Sequence, residues 1–162
     1  MSSKSSIPTA HLPDVTLAIN RILFSDAGAL LLAATSPDVN LLAVNINYPS
    51  SYSAVAASAI LSHYGKAHVP IGIRRPLTSA TFFDSWYFEL GEYASKVAYH
   101  FSGGSLPWGR AEDAWDPVAL YRQVLAEAED GSVTIASIGF LDTVRFYLVT
   151  QSHTLHSTCS SH

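Results

Sequence analysis

A chain of 162 residues is sized for one domain and is long enough to bury a sizeable core. Hydrophobic residues make up 48% and charged residues 14%, which excludes a disordered chain; the net charge of −4 and the lack of a basic stripe exclude a nucleic-acid-coating protein. The single cysteine, Cys159, excludes an internal disulfide framework and a cysteine-based metal cluster.

Residues 1–13 are rich in Ser and Pro and are expected to be a disordered amino-terminal segment. The first ten residues are polar and lack the apolar stretch of a secretory signal, and no apolar run approaches the ~20 residues of a membrane span. The expected setting is therefore cytoplasmic, with no membrane and no nucleic acid as partner.

Val15 to Phe24 (VTLAINRILF) reads as a first strand. Asp26 to Ala34 is apolar nearly all round, as in a helix packed on two sides, and Ser36-Pro37-Asp38 stops it. Leu41 to Ile46 is a short apolar run between turn signals, the pattern of a buried parallel strand. The polar Asn47-Tyr48-Pro49-Ser50-Ser51 follows at that strand's carboxyl end, where ligands sit in open α/β sheets. A second helix is predicted over Ser53 to Tyr64 with Gly65 as its cap, and a third strand over Val69 to Ile73.

The stretch from Thr81 to Phe101 is crowded with aromatics; Phe82, Trp86, Leu90, Tyr93 and Val97 fall near helical spacing and read as core. Residues 102–117 read as loop; Gly103-Gly104-Ser105 is only a weak likeness of a phosphate nest, without the spacing of a nucleotide motif. Pro117 to Glu129 is the clearest helix, with Asp116 as cap and Asp130-Gly131 at its end. Val133 to Ile138 is a further buried strand, opening into a loop at Gly139. Strand and helix alternate, so the fold class is α/β, a three-layer structure with a mostly parallel sheet of about four to five strands. That domain is expected over residues 14–144. Residues 145–162 show neither helical period nor turn chemistry and are expected to be an unstructured tail, whose His153, His156 and His162 are weak metal candidates.

Three stretches, SDAGALLLAATSPDVNLLAVNINYPSSYSAVAASAIL, VPIGIRRPL and DGSVTIASIGFL, resemble the amino-terminal half of the inosine/uridine-preferring nucleoside hydrolases, the fungal members above all. The resemblance implies hydrolysis of the N-glycosidic bond of a ribonucleoside to base and ribose, with calcium as cofactor and a small-molecule nucleoside as partner. In that family an aspartate cluster, D-x-D-x-x-x-D-D, holds the calcium ion and the ribose, and the ion's water attacks the anomeric carbon. Asp26 falls on the last aspartate of the cluster, a metal ligand, and Ser25 on its ribose-contacting neighbour. Arg21 and Ile19 fall on the other two, and an arginine cannot coordinate a cation. Asn47 falls in the loop of a ribose-binding asparagine, with Ser50 as a competing alignment. Asp142 takes the place of a main-chain carbonyl donor to calcium.

Each of these residues has a plainer account. Asp26 suits a helix amino terminus, Asn47 a turn before Pro49, and Asp142 an exposed loop. Nothing in residues 145–162 matches the family's second half, so the chain is expected to be truncated and weakly active or inactive. The alternative is a non-catalytic α/β binding or assembly module, which would form a homo-oligomer through the apolar edge left for the missing half.

Overall fold

The computed structural model describes residues 12–19, 24–79, 92–139, 141 and 144–149. Strand and helix alternate through them as β1 (Asp14–Ile19), α1 (Phe24–Thr35), β2 (Asn40–Ile46), α2 (Ser51–His63), β3 (Ile71–Ile73), α3 (Glu92–Phe101), a 3-10 turn (Ala111–Asp113), α4 (Pro117–Glu127) and β4 (Val133–Ser137). The strands form one sheet in the order β3-β2-β1-β4, every neighbouring pair parallel. Helices cover both faces, which is the expected three-layer α/β fold.

Period-two alternation divides the strands between two faces. On one, Leu17, Ile19, Val44, Ile46, Ile71 and Ile73 are buried in a single apolar cluster with Ala27 and Leu30 of α1 and with Ala54, Ala57 and Leu61 of α2. Helix α2 is buried continuously from Ser53 to Leu61, because α1, α3 and the sheet all pack on it. Small side chains make that crowding possible. Gly104 rides over α2 so closely that a Cβ there would lie 2.5 Å from the Ser58 carbonyl oxygen. On the other face α4 lies against β2 and β3.

Several boundaries differ from those predicted, each for a local reason. The first strand ends at Ile19, not Phe24, and Phe24 is already the first residue of α1. The second helix begins at Ser51, since Ser50 keeps extended geometry as its cap residue. Val69 and Pro70 are not part of β3: Pro70 has no N–H to donate, and its carbonyl instead accepts from the Val44 amide at 3.1 Å. Gly65 does cap α2, in the left-handed region at φ +71°, with the Lys66 amide reaching back to the Leu61 carbonyl at 2.8 Å. Of the aromatic stretch, Tyr93 and Val97 lie on α3 and pack against the core, while Phe82, Trp86 and Leu90 lie outside the described residues.

The carboxyl-terminal expectation needs correcting in part. Residues 144–149 are helical, where no element was expected. The Arg145 amide donates to the Leu141 carbonyl at 2.7 Å, and the Tyr147 ring packs against Tyr121 of α4 at 5.8 Å. Phe146, Leu148 and Val149 stay about half exposed, so no polar face alternates with an apolar one, and the amphipathic signal of a packed helix is missing. His153, His156 and His162 lie outside the described residues.

Candidate functional site

In this sheet β2 and β3 lie to one side of β1 and β4 to the other. The chain therefore leaves β1 in one direction and returns to its far side through β4, which makes a topological switch point between them. Connections diverging from such a point leave a crevice at the carboxyl ends of the strands. Backbone hydrogen bonds draw the exits together there. The Asn47 amide donates to the Ile19 carbonyl at 2.9 Å, and the Ile138 amide to the Ala18 carbonyl at 2.9 Å. The Arg74 amide donates to the Ile46 carbonyl at 3.1 Å.

Two of the predicted site residues stand at this end of the sheet. Asn47 directly follows β2 and is buried, with 3% exposure. Asp26 is in the first turn of α1, where the helix dipole favours an anion, and is only 6% exposed. A carboxylate that serves only to end a helix normally faces water, so this depth argues for more than a terminal acid. Ser25 lies on α1 beside it. Ser50, the competing alignment for Asn47, is 2% exposed and takes up the cap position of α2 without a side-chain hydrogen bond to that helix. Arg21, Asp142 and their immediate roles lie outside the described residues.

The described residues do not fit a calcium ion. Such an ion takes about six to eight oxygen ligands, several of them anionic. Among the described residues no group of three or more His, Cys, Asp or Glu side chains is placed to hold a metal, and Asp26 is the one acid at the carboxyl ends of β1 and β2.

Other motifs resolve into structure. Gly103-Gly104-Ser105 is a close crossing over α2, with the Leu106 amide donating to Ser58 Oγ at 2.8 Å and the Ser58 and Ser105 hydroxyls 3.3 Å apart. It is packing, not a phosphate nest. Arg75 clamps the exit of β3 to the 3-10 turn: one nitrogen pairs with the Glu112 carboxylate, and another donates to the Glu112 and Ala114 carbonyls at 2.9 and 2.8 Å. A sequence signal for it was the Arg74-Arg75-Pro76 run directly after a strand. Asn45 was also missed, although a polar residue inside LLAVNI marks a buried amide.

Among the described residues no helix is long and apolar enough to cross a membrane. No protein-family model matches the chain, and the curated proteins hold no match to it. Solved structures do match. A plant nucleoside hydrolase superposes over 85% of this chain with a TM-score of 0.61 at 20% identity. The inosine-uridine preferring nucleoside hydrolase of Bacillus anthracis superposes over 86% with a TM-score of 0.60 at 16% identity. The matches span 43% and 45% of those proteins, so this chain covers less than half the length of either. At such identities the likeness is one of architecture: the chain has a nucleoside-hydrolase-like fold.

Proposed function

We propose that this chain is a ribonucleoside-binding unit of nucleoside-hydrolase type, whose chemistry is hydrolysis of the N-glycosidic bond to base and ribose. The observation that carries this reading is the pairing of buried Asp26 and buried Asn47 with the β1/β4 switch point, in a fold shared with nucleoside hydrolases. Inosine and uridine are the substrates that the sequence resemblance favours. Turnover is expected to be slow or absent, because Asp26 alone cannot supply the charge that calcium requires.

Calorimetric titration of the full chain with inosine and with uridine, beside chromatographic assay of free base, tests this. Binding is expected in the millimolar range or tighter, weakened about tenfold by Asn47→Ala, the effect of losing roughly one hydrogen bond of about 1.4 kcal/mol. Absence of nucleoside binding by a chain that melts cooperatively would refute the reading. Calcium binding is expected to be weaker than millimolar. Micromolar calcium affinity abolished by Asp26→Ala would show instead that a full metal site survives.

A specific observation also favours the second reading, an assembly module without catalysis. One edge of β4 is unpaired among the described residues, and its segment VTIAS carries neither charge nor proline. Ile138, Leu141, Phe146, Leu148 and Val149, which follow it, are all 46% exposed or more. This reading expects self-association with a second copy, and a concentration-independent monomer in sedimentation would remove it.

A further inference from the structure

The face of the sheet that is turned towards α4 carries buried polar atoms without a hydrogen-bond partner among the described residues. In register, Gly72, Asn45, Ala18 and Ser137 form one row across β3, β2, β1 and β4, and Thr16 stands two residues before Ala18 on the same face. Thr16 and Asn45 are wholly buried. Thr16 Oγ1, Asn45 Oδ1 and Nδ2, and Ser137 Oγ are shut off from solvent and have no hydrogen-bond partner among the described residues.

Stranding these atoms on three adjoining strands would cost a large part of the stability of a domain this size. The side chains cannot satisfy one another through the row, because Ala18 sits between Asn45 and Ser137 and offers only a methyl group. Asn45 in addition leans towards β3, its Oδ1 lying 2.0 Å from where a Cβ on Gly72 would be. What belongs between them must therefore be small and able both to donate and to accept. Two hydroxyls and an amide form a neutral set of that mixed kind, suited to water and not to an ion.

We propose that Thr16, Asn45 and Ser137 bind a cluster of internal water molecules over Ala18. A buried water makes about three hydrogen bonds, so this set can anchor one and share a second. The cluster joins β2, β1 and β4 through side chains, one pleat below Asn47 and Gly139, and so forms a wet floor under the switch-point crevice. It does not depend on the chemistry proposed for that crevice.

The test is the sign and the additivity of two near-isosteric substitutions in the full chain, Thr16→Val and Ser137→Ala. If the hydroxyls bridge shared water, each substitution lowers the melting temperature, and the double variant loses less than the sum of the two. A rise in melting temperature for Thr16→Val would mean that Oγ1 has no partner to lose, and strictly additive losses would mean no shared cluster; either overturns the proposal. Should a variant fail to fold, the unaltered chain decides it. Water-to-amide nuclear Overhauser effects at Ala18 and Asn45 are expected, and a dry row in a high-resolution crystal structure would overturn it.

Discussion

Towards α1 and α2 the strands turn Leu17, Ile19, Val44, Ile46, Ile71 and Ile73; towards α4 they turn Thr16, Ala18, Ala43, Asn45 and Gly72. Both sets are buried, yet they stabilise the fold by different means. The first set gains from area alone, at about 1.5–3 kcal/mol for each large side chain taken out of water. That gain is non-directional, so it tolerates conservative exchange. The second set has little area to bury. It depends on where single atoms lie: an amide leaning over a glycine, a buried threonine hydroxyl, and a helix lying close above β2 and β3.

The largest effect should come from truncating the area-driven face. Ile46→Ala, at a fully buried position one residue before Asn47, is expected to cost about 2–5 kcal/mol. Urea unfolding followed by circular dichroism reads this directly. A loss below 1 kcal/mol would show that the face relaxes to fill the gap and is less tightly packed than its burial implies.

An intermediate effect is expected where the second face is overfilled. A methyl group at Gly72 would meet Asn45 Oδ1 at 2.0 Å and Leu120 Cδ2 at 3.1 Å. Gly72→Ala should therefore cost about 1–3 kcal/mol. In an Asn45→Ala background the first clash is gone, and the same substitution should cost markedly less, a coupling of about 0.5–3 kcal/mol. Equal costs in the two backgrounds would mean that Asn45 does not occupy the space over Gly72.

The two faces also differ in how far the sequence revealed them. Runs such as LLAVNI and VTIAS carry the apolar period in their own residues, so the strands, their parallel pairing and the helices between them could be read from the chain. Asp26 and Asn47, both buried, were legible only as site candidates, because a polar residue beside an apolar run stands out locally. The polar row was not legible. Thr16, Asn45 and Ser137 are separated in the chain and meet only through strand order, and nothing local says that β4 pairs with β1. The clamp made by Arg75 is hidden from the sequence for a similar reason, since Glu112 and Ala114 lie almost forty residues onward. Residues 144–149 were missed because Phe146, Leu148 and Val149 are apolar yet about half exposed, so burial leaves no period in the sequence there.

The smallest expected effect concerns the helix that closes the second face. Helix α4 begins at Pro117, whose missing N–H needs no partner, and Asp116 Oδ1 accepts from the Val118 and Ala119 amides at 3.0 and 2.9 Å. These are amides that the helix itself cannot satisfy. Asp116→Ala should remove both bonds and cost about 1 kcal/mol. Asp116→Asn keeps an acceptor but lacks the charge that the helix dipole favours, so it should fall between the two, about 0.3–1 kcal/mol below the native chain. Urea midpoints of the three chains, with hydrogen exchange at the first turn of α4, give the ranking. Loss of protection confined to that turn would mark the cap as a local device. An alanine variant as stable as the native chain would mean that Leu120 and Tyr121, both almost fully buried, hold α4 in place by packing alone, and that the second face is closer in kind to the first than its side chains suggest.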